Sequence, residues 1–261
     1  MPSYSVAVAS LPDFEESVRY ASKSVLDVLG RVRGWDITLL LGDEANRESL
    51  LQVIHDKDPK LIILVGHGTE GEVTGQDYEP IYWACSNGSV KNRIIYALSC
   101  RCGAVLGHDL VEEKGAESFI GFNDYFIFAS AGEPDPIADP VAQYFFRPTA
   151  KLLESLMTGK TAGEAVKEAR EEYRRVLTEL ARLGADWAPQ LMALVIHDRD
   201  SLVLIGNPDS HAGVGHVVTH EPLKDLTLVS IPGIVTYILT RSPAAALAVT
   251  GALYALKRLS E

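Results

Sequence analysis

Two stretches, LIILVGHG at residues 61–68 and IIYALSCRCG at residues 94–103, decide how this chain is read. Each opens on an unbroken apolar run of strand length, the pattern of a strand covered on both faces in a parallel sheet. Each then changes at once into small and reactive residues: His67 between Gly66 and Gly68 in the first, Ser99-Cys100-Arg101-Cys102-Gly103 in the second. In doubly wound sheets the working residues collect beyond the carboxyl ends of strands. Adjacent strands lie ~4.8 Å apart, so a thiol and an imidazole that end neighbouring strands come within reach of each other.

On either side of these stretches short apolar runs alternate with amphipathic ones, the order expected of repeated strand–helix–strand units in an α/β fold. Further strands are predicted at 4–10, 36–41 and 118–121, and helices at 13–29, 46–56, 105–114, 140–157 and 162–183. Asp13 reads as the cap of the first helix and Gly30 as its stop. Thr161 and Glu164 spell a capping box ahead of the longest one. Residues 66–93 read as loop with at most one hairpin, and residues 191–197 and 201–205 as an antiparallel hairpin at the sheet edge, with helix as the alternative for its first arm.

The domain plan that follows is a catalytic-type unit at 1–206, a Gly-, His- and Pro-rich linker at 207–225, and an apolar tail at 226–261. The tail holds two apolar runs separated by Thr240-Arg241-Ser242-Pro243, each shorter than the ~20 residues that span a bilayer. It is expected to form a helical hairpin or interfacial segment, packed on the domain or a second copy of the chain, or lying against a membrane surface.

Composition narrows the functions. Of 261 residues 47% are hydrophobic and the formal charge is −11, the wrong sign for a nucleic-acid partner. The three cysteines, Cys85, Cys100 and Cys102, form no CxxC pair and suit a reducing, cytoplasmic setting. No export signal is read at the amino terminus. The GxGxxG formed by residues 66–71 is not followed by a helical pattern, and no GxSxG elbow or P-loop occurs. His211, His216 and His220 with Asp209 match no metal-ligand spacing, so neither metal nor cofactor is expected.

What is left is thiol chemistry. A thiol of reference pKa about 8.5 and an imidazole of about 6.5 share proton work near neutral pH. Gly68 admits close backbone approach, and its N–H together with that of Cys100 forms a candidate oxyanion hole. Asn123 and Asp124 end the 118–121 strand and are expected at the same rim. A carboxylate there would receive a basic substrate side chain.

The order His67-Gly68, then Cys100 to Gly103, then Gly115-Ala116-Glu117-Ser118-Phe119-Ile120-Gly121, then LIGNPDS at 204–210, resembles the caspase-like cysteine peptidase superfamily, in particular its gingipain-like and CHAT-domain branches. The resemblance covers roughly residues 60–210, with Asn207 where the family turn usually has Asp and with Cys102 as an extra thiol. It implies a three-layer α/β/α sandwich about a mostly parallel sheet, and a cysteine endopeptidase with Cys100 as nucleophile and His67 as acid/base. It also implies a protein or peptide substrate whose residue before the scissile bond is read by a charged or polar pocket, often for Arg or Lys and sometimes for Asp, and Asp124 at the rim selects the basic choice as the expectation. The alternative from another class is a catalytically silent caspase-like module that serves as an interaction scaffold.

Overall fold

The computed structural model describes residues 5–86, 88–218 and 235–238. Its centre is a six-stranded sheet made of β1 (Ser5–Leu11), β2 (Trp35–Leu41), β3 (Leu61–Val65), β4 (Ile94–Leu98), β5 (Ser118–Phe122) and β6 (Leu202–Gly206). The spatial order is β6-β5-β4-β3-β1-β2. All neighbours run parallel except β6, which returns antiparallel to β5. The fold is thus α/β with a mixed, mostly parallel sheet.

Alternation along the strands sorts the core into two layers. Leu61, Ile63 and Val65 of β3, with Ile94, Tyr96 and Leu98 of β4, face α1 (Glu16–Arg31), α4 (Gln143–Met157), α5 (Ala162–Leu183) and α6 (Ala188–Ser201). Ile62, Leu64, Ile95 and Ala97 face α2 (Arg47–Lys57) and the short α3 (Leu106–His108), which continues as a π-helical turn, Asp109–Glu113. The apolar runs are continuous because both faces are covered: every residue of β3 and β4 is buried.

Asn46, read as the start of the 46–56 helix, is in fact the cap of α2, accepting from the Ser49 N–H at 2.9 Å. Thr161 and Glu164 close the capping box at the start of α5. Other local expectations are corrected. Asp13 does not cap α1: the N-cap is Glu15, and Asp13 instead exchanges hydrogen bonds with Gln76. Gly30 does not stop α1, which runs to Arg31. Residues 66–93 hold a three-stranded meander, Gly68–Thr69, Glu72–Thr74 and Pro80–Trp83. The first arm of the expected edge hairpin is α6, with Pro189 in its first turn, and only the second arm is the edge strand β6.

The stretch read as a linker is tied to the domain as far as it is described. Ser210 bonds Ser118 at 2.8 Å, and His216–Val217 pairs with Val32–Arg33. Within the tail, Val235–Ile238 is a strand, antiparallel to Ile127–Ser130, which corrects the helical expectation there. The rest of the predicted tail, and His220, lie outside the described residues. No helix among the described residues is long and apolar enough to cross a membrane.

Candidate active site

Strand order opens a crevice between the carboxyl ends of β1 and β3, because the chain leaves β1 for β2 on one side while β3 lies on the other. Phe14 and Glu15 follow β1 into it, and Gly66-His67-Gly68 follows β3. His67 Nε2 lies 3.0 Å from Glu15 Oε1, an ion-pair distance, and the imidazole is 2% exposed. Its ring stacks on Tyr78 with centroids 5.1 Å apart and meets the Phe14 ring edge-on at 5.9 Å. The Tyr78 hydroxyl donates to Glu15 Oε2 at 2.6 Å, and the Ser17 hydroxyl donates to Oε1. Neither ring nitrogen of His67 meets full hydrogen-bond geometry among the described residues, and Nδ1 has no ion-pair contact either.

Burial works to raise the Glu15 carboxyl, yet its contacts with His67, Ser17 and Tyr78 outweigh that and hold it at about 2. It is therefore a carboxylate at neutral pH. An ionised carboxylate against one imidazole nitrogen fixes the orientation of the ring. The backbone that carries Tyr78 is strained: Asp77 and Tyr78 sit at φ 52 and 64, in the left-handed region that side-chain-bearing residues seldom adopt. That turn is what lays the Tyr78 ring over the imidazole.

The second strand end is built differently. Val65 of β3 stands opposite Leu98 of β4, so the segments beyond them emerge side by side. A Cβ on Gly68 would overlap Ser99 Oγ and the Cys100 carbonyl oxygen and lie 3.2 Å from the Cys100 nitrogen, so only glycine lets these backbones approach. The His67 carbonyl accepts from the Thr74 N–H, and strand alternation then turns the Gly68 N–H away from the meander. Structure thus brings the Gly68 and Cys100 backbones into close contact.

The Cys100 side chain points into the core and is fully buried. Its sulphur accepts the Phe126 N–H at 3.3 Å and lies 3.8 Å from the Phe126 carbonyl oxygen. Burial pushes the thiol well above its usual value. No hydrogen bond joins it to His67 among the described residues. Cys102, also buried, bonds the Ser99 carbonyl at 3.4 Å and is raised to about 12 by burial.

The segment that holds the sulphur is itself pinned from α6. His197 Nε2 is 2.9 Å from the Tyr125 carbonyl, the buried Asp198 accepts the Ile127 N–H at 3.0 Å, and the Asn123 N–H donates to Ser201 at 2.8 Å. Asp198 Oδ2 has no hydrogen-bond partner among the described residues, and burial pushes that carboxyl well above the carboxylate range. Asn123 and Asp124 are exposed at this rim, where Asp124 Oδ1 accepts the Tyr125 N–H at 2.8 Å and its carbonyl accepts the Arg101 N–H at 3.0 Å. Arg101, at φ 59, carries its guanidinium over the Tyr125 ring and pairs with Glu70.

Glu15, Tyr78, Phe126 and Asp198 escape sequence reasoning. Glu15 looks like one acid in a helix start, Tyr78 like loop, and a backbone N–H leaves no trace in a side-chain pattern. Asp198 belongs to the polar run Asp198-Arg199-Asp200, which reads as the turn of a hairpin rather than as a buried acid. No protein-family model and no curated protein matches the chain.

Proposed function

We propose that the chain is a cysteine endopeptidase of caspase-like architecture, with His67 as acid/base, Cys100 as nucleophile and Glu15 as the residue that orients the imidazole. The observation that carries this reading is the ionised Glu15 beside His67 at the switch point of the sheet, on the strand next to the one that ends in Cys100. In the reaction the Cys100 thiol gives its proton to His67 and the sulphur attacks a peptide carbonyl carbon. The N–H groups of Gly68 and Cys100 receive the oxyanion. The C–N bond breaks as His67 returns the proton to the leaving amine, and water hydrolyses the thioester, which restores the thiol and releases the acid. Asp124, with Asn123 beside it, receives a basic side chain ahead of the scissile bond.

Because Cys100 is sealed behind the Phe126 backbone, this chemistry begins from a closed state, and release of residues 123–127 is the activating motion. The same burial favours a second reading, a silent caspase-like scaffold whose cysteine only packs the core. An acyloxymethyl-ketone probe built on a basic peptide separates the two. Labelling that disappears in both Cys100→Ala and His67→Ala supports the peptidase. Equal labelling of the wild type and His67→Ala, or none under any condition that opens the site, supports the scaffold.

A further inference from the structure

A groove of about 430 Å³ runs between α5 and the outer edge of β6, with Lys167, Arg170 and Arg174 on one wall and Val203 and Leu204 on the other. The three cations stand at helical spacing on one exposed stripe of α5 in a chain whose net charge is −11. Four of the five acids of the same helix are engaged elsewhere, and the fifth, Glu171, stands i+4 from Lys167 and i−3 from Arg174 on the side of the stripe away from the groove lining. Glu164 closes the capping box, Glu168 faces Lys151 and Lys160, and Glu172 and Glu179 hold Arg147. Lys167 and Arg174 have no ion pair or side-chain hydrogen bond among the described residues.

β6 is the last strand of the sheet, and its hydrogen-bond phase can be read from its ends. The Asn123 N–H donates to the Ser201 carbonyl and the Asn207 N–H to the Glu117 carbonyl, so odd-numbered residues turn towards β5. Residues 202, 204 and 206 then face outward. Arg170 donates to the Leu202 carbonyl at 2.9 Å, and the next outward pair of groups, the N–H and C=O of Leu204, makes no hydrogen bond among the described residues.

We infer that this edge takes an extended acidic segment of a partner protein, added to the sheet as a further strand along β6. Main-chain bonds to Leu204 would set its register, and side chains on alternate positions would meet α5, so the segment carries acids at every second residue facing Lys167 and Arg174. A second copy of this chain fits poorly, because its own β6, LVLIG, has no acids and two-fold pairing would bring the cationic stripes towards each other.

The test uses the full chain and a fluorescein-labelled peptide of alternating Glu and Val, read by anisotropy, with a Lys–Val peptide and inorganic phosphate as comparisons. Saturable binding of the Glu–Val peptide is expected, weakened by about tenfold or more in Arg174→Glu and in about 0.5 M NaCl. Leu204→Pro removes the outward N–H without touching a bond to β5 and is expected to weaken binding similarly. Should Leu204→Pro unfold the chain, a Glu–Val peptide N-methylated at alternate residues asks the same question and is expected not to bind. Binding unchanged in Arg174→Glu, competition by phosphate at peptide-like concentrations, full affinity of the methylated peptide, or self-association in place of peptide binding would each overturn the proposal. No binding at all would leave the cations as guards of an open edge and overturn it equally.

Discussion

The two strand ends that face each other across β3 and β4 are prepared to different degrees. At the His67 end side chains from two other segments converge on the ring: Glu15 orients and Phe14 walls from one, and Tyr78 stacks from the other. At the Cys100 end backbone does the work, with the Phe126 N–H on the sulphur and α6 behind it. The first arrangement is the kind that performs proton transfer. The second is the kind that keeps a thiol neutral and out of reach. On the proposed function the contrast bears on control: exposing Cys100 would mean moving residues 123–127, with the imidazole left in place.

The largest expected effect breaks the boundary between the two ends. Gly68→Ala forces a methyl group into the Ser99 and Cys100 backbone and should cost about 3 kcal/mol or more, read as a lower urea midpoint. If the variant unfolds at the wild-type midpoint, the close approach of the two segments is wrong.

Next in size is the lock itself. Asp198→Ala leaves the buried Ile127 N–H without its acceptor and should cost about 1–3 kcal/mol, while Cys100 becomes more reactive towards alkylating agents. Asp198→Asn retains an acceptor and should alter thiol reactivity far less. Equal reactivity in the wild type and Asp198→Ala would free α6 from any part in sealing the cysteine.

The smallest effect sharpens the His67 end. With the Glu15 carboxyl held at about 2 against an ordinary 4.5, the unfolded chain binds more protons than the folded one between those values. Stability from this group is therefore present above about pH 4.5 and is lost as pH falls towards 2. Solvent screening at a carboxylate one-third exposed reduces its size. Glu15→Gln should flatten the pH dependence of the melting temperature in that window alone. An unchanged slope would mean that Glu15 is not held as an ion by His67, Ser17 and Tyr78.

Sequence carried the framework well because the framework is a matter of pattern. LIILV and IIYAL are apolar without alternation, and they became the two central strands buried on both faces. Thr161 and Glu164 sit at the one spacing that closes a capping box, and they close it. The site was half legible. His67 and Cys100 announce themselves by ending strands, but the partner of His67 arrives from another strand by topology. Glu15 was hidden behind Asp13, the better capping residue by type, which went instead to Gln76 of the meander. The segment 191–197 was ambiguous for a physical reason, since a short apolar run carries the same signature in a buried strand and a buried helix. The strand at Val235–Ile238 was missed because its pairing partner, Ile127–Ser130, lies more than a hundred residues away and leaves no local mark.

The sealing of Cys100, the proposed nucleophile, can be tested inside a single molecule, since Cys85 is exposed while Cys100 and Cys102 are buried. Full-length native protein is treated with iodoacetamide and the modification of each cysteine is followed by peptide mass spectrometry over time. The account predicts rapid alkylation of Cys85 and alkylation of Cys100 slower by about a hundredfold or more, as expected for a thiol that reacts only after an opening that costs several kcal/mol. It also predicts that Cys100 gains on Cys85 when Asp198 is replaced by Ala. Alkylation of Cys100 in the native wild-type chain as fast as that of Cys85, or faster, would contradict it.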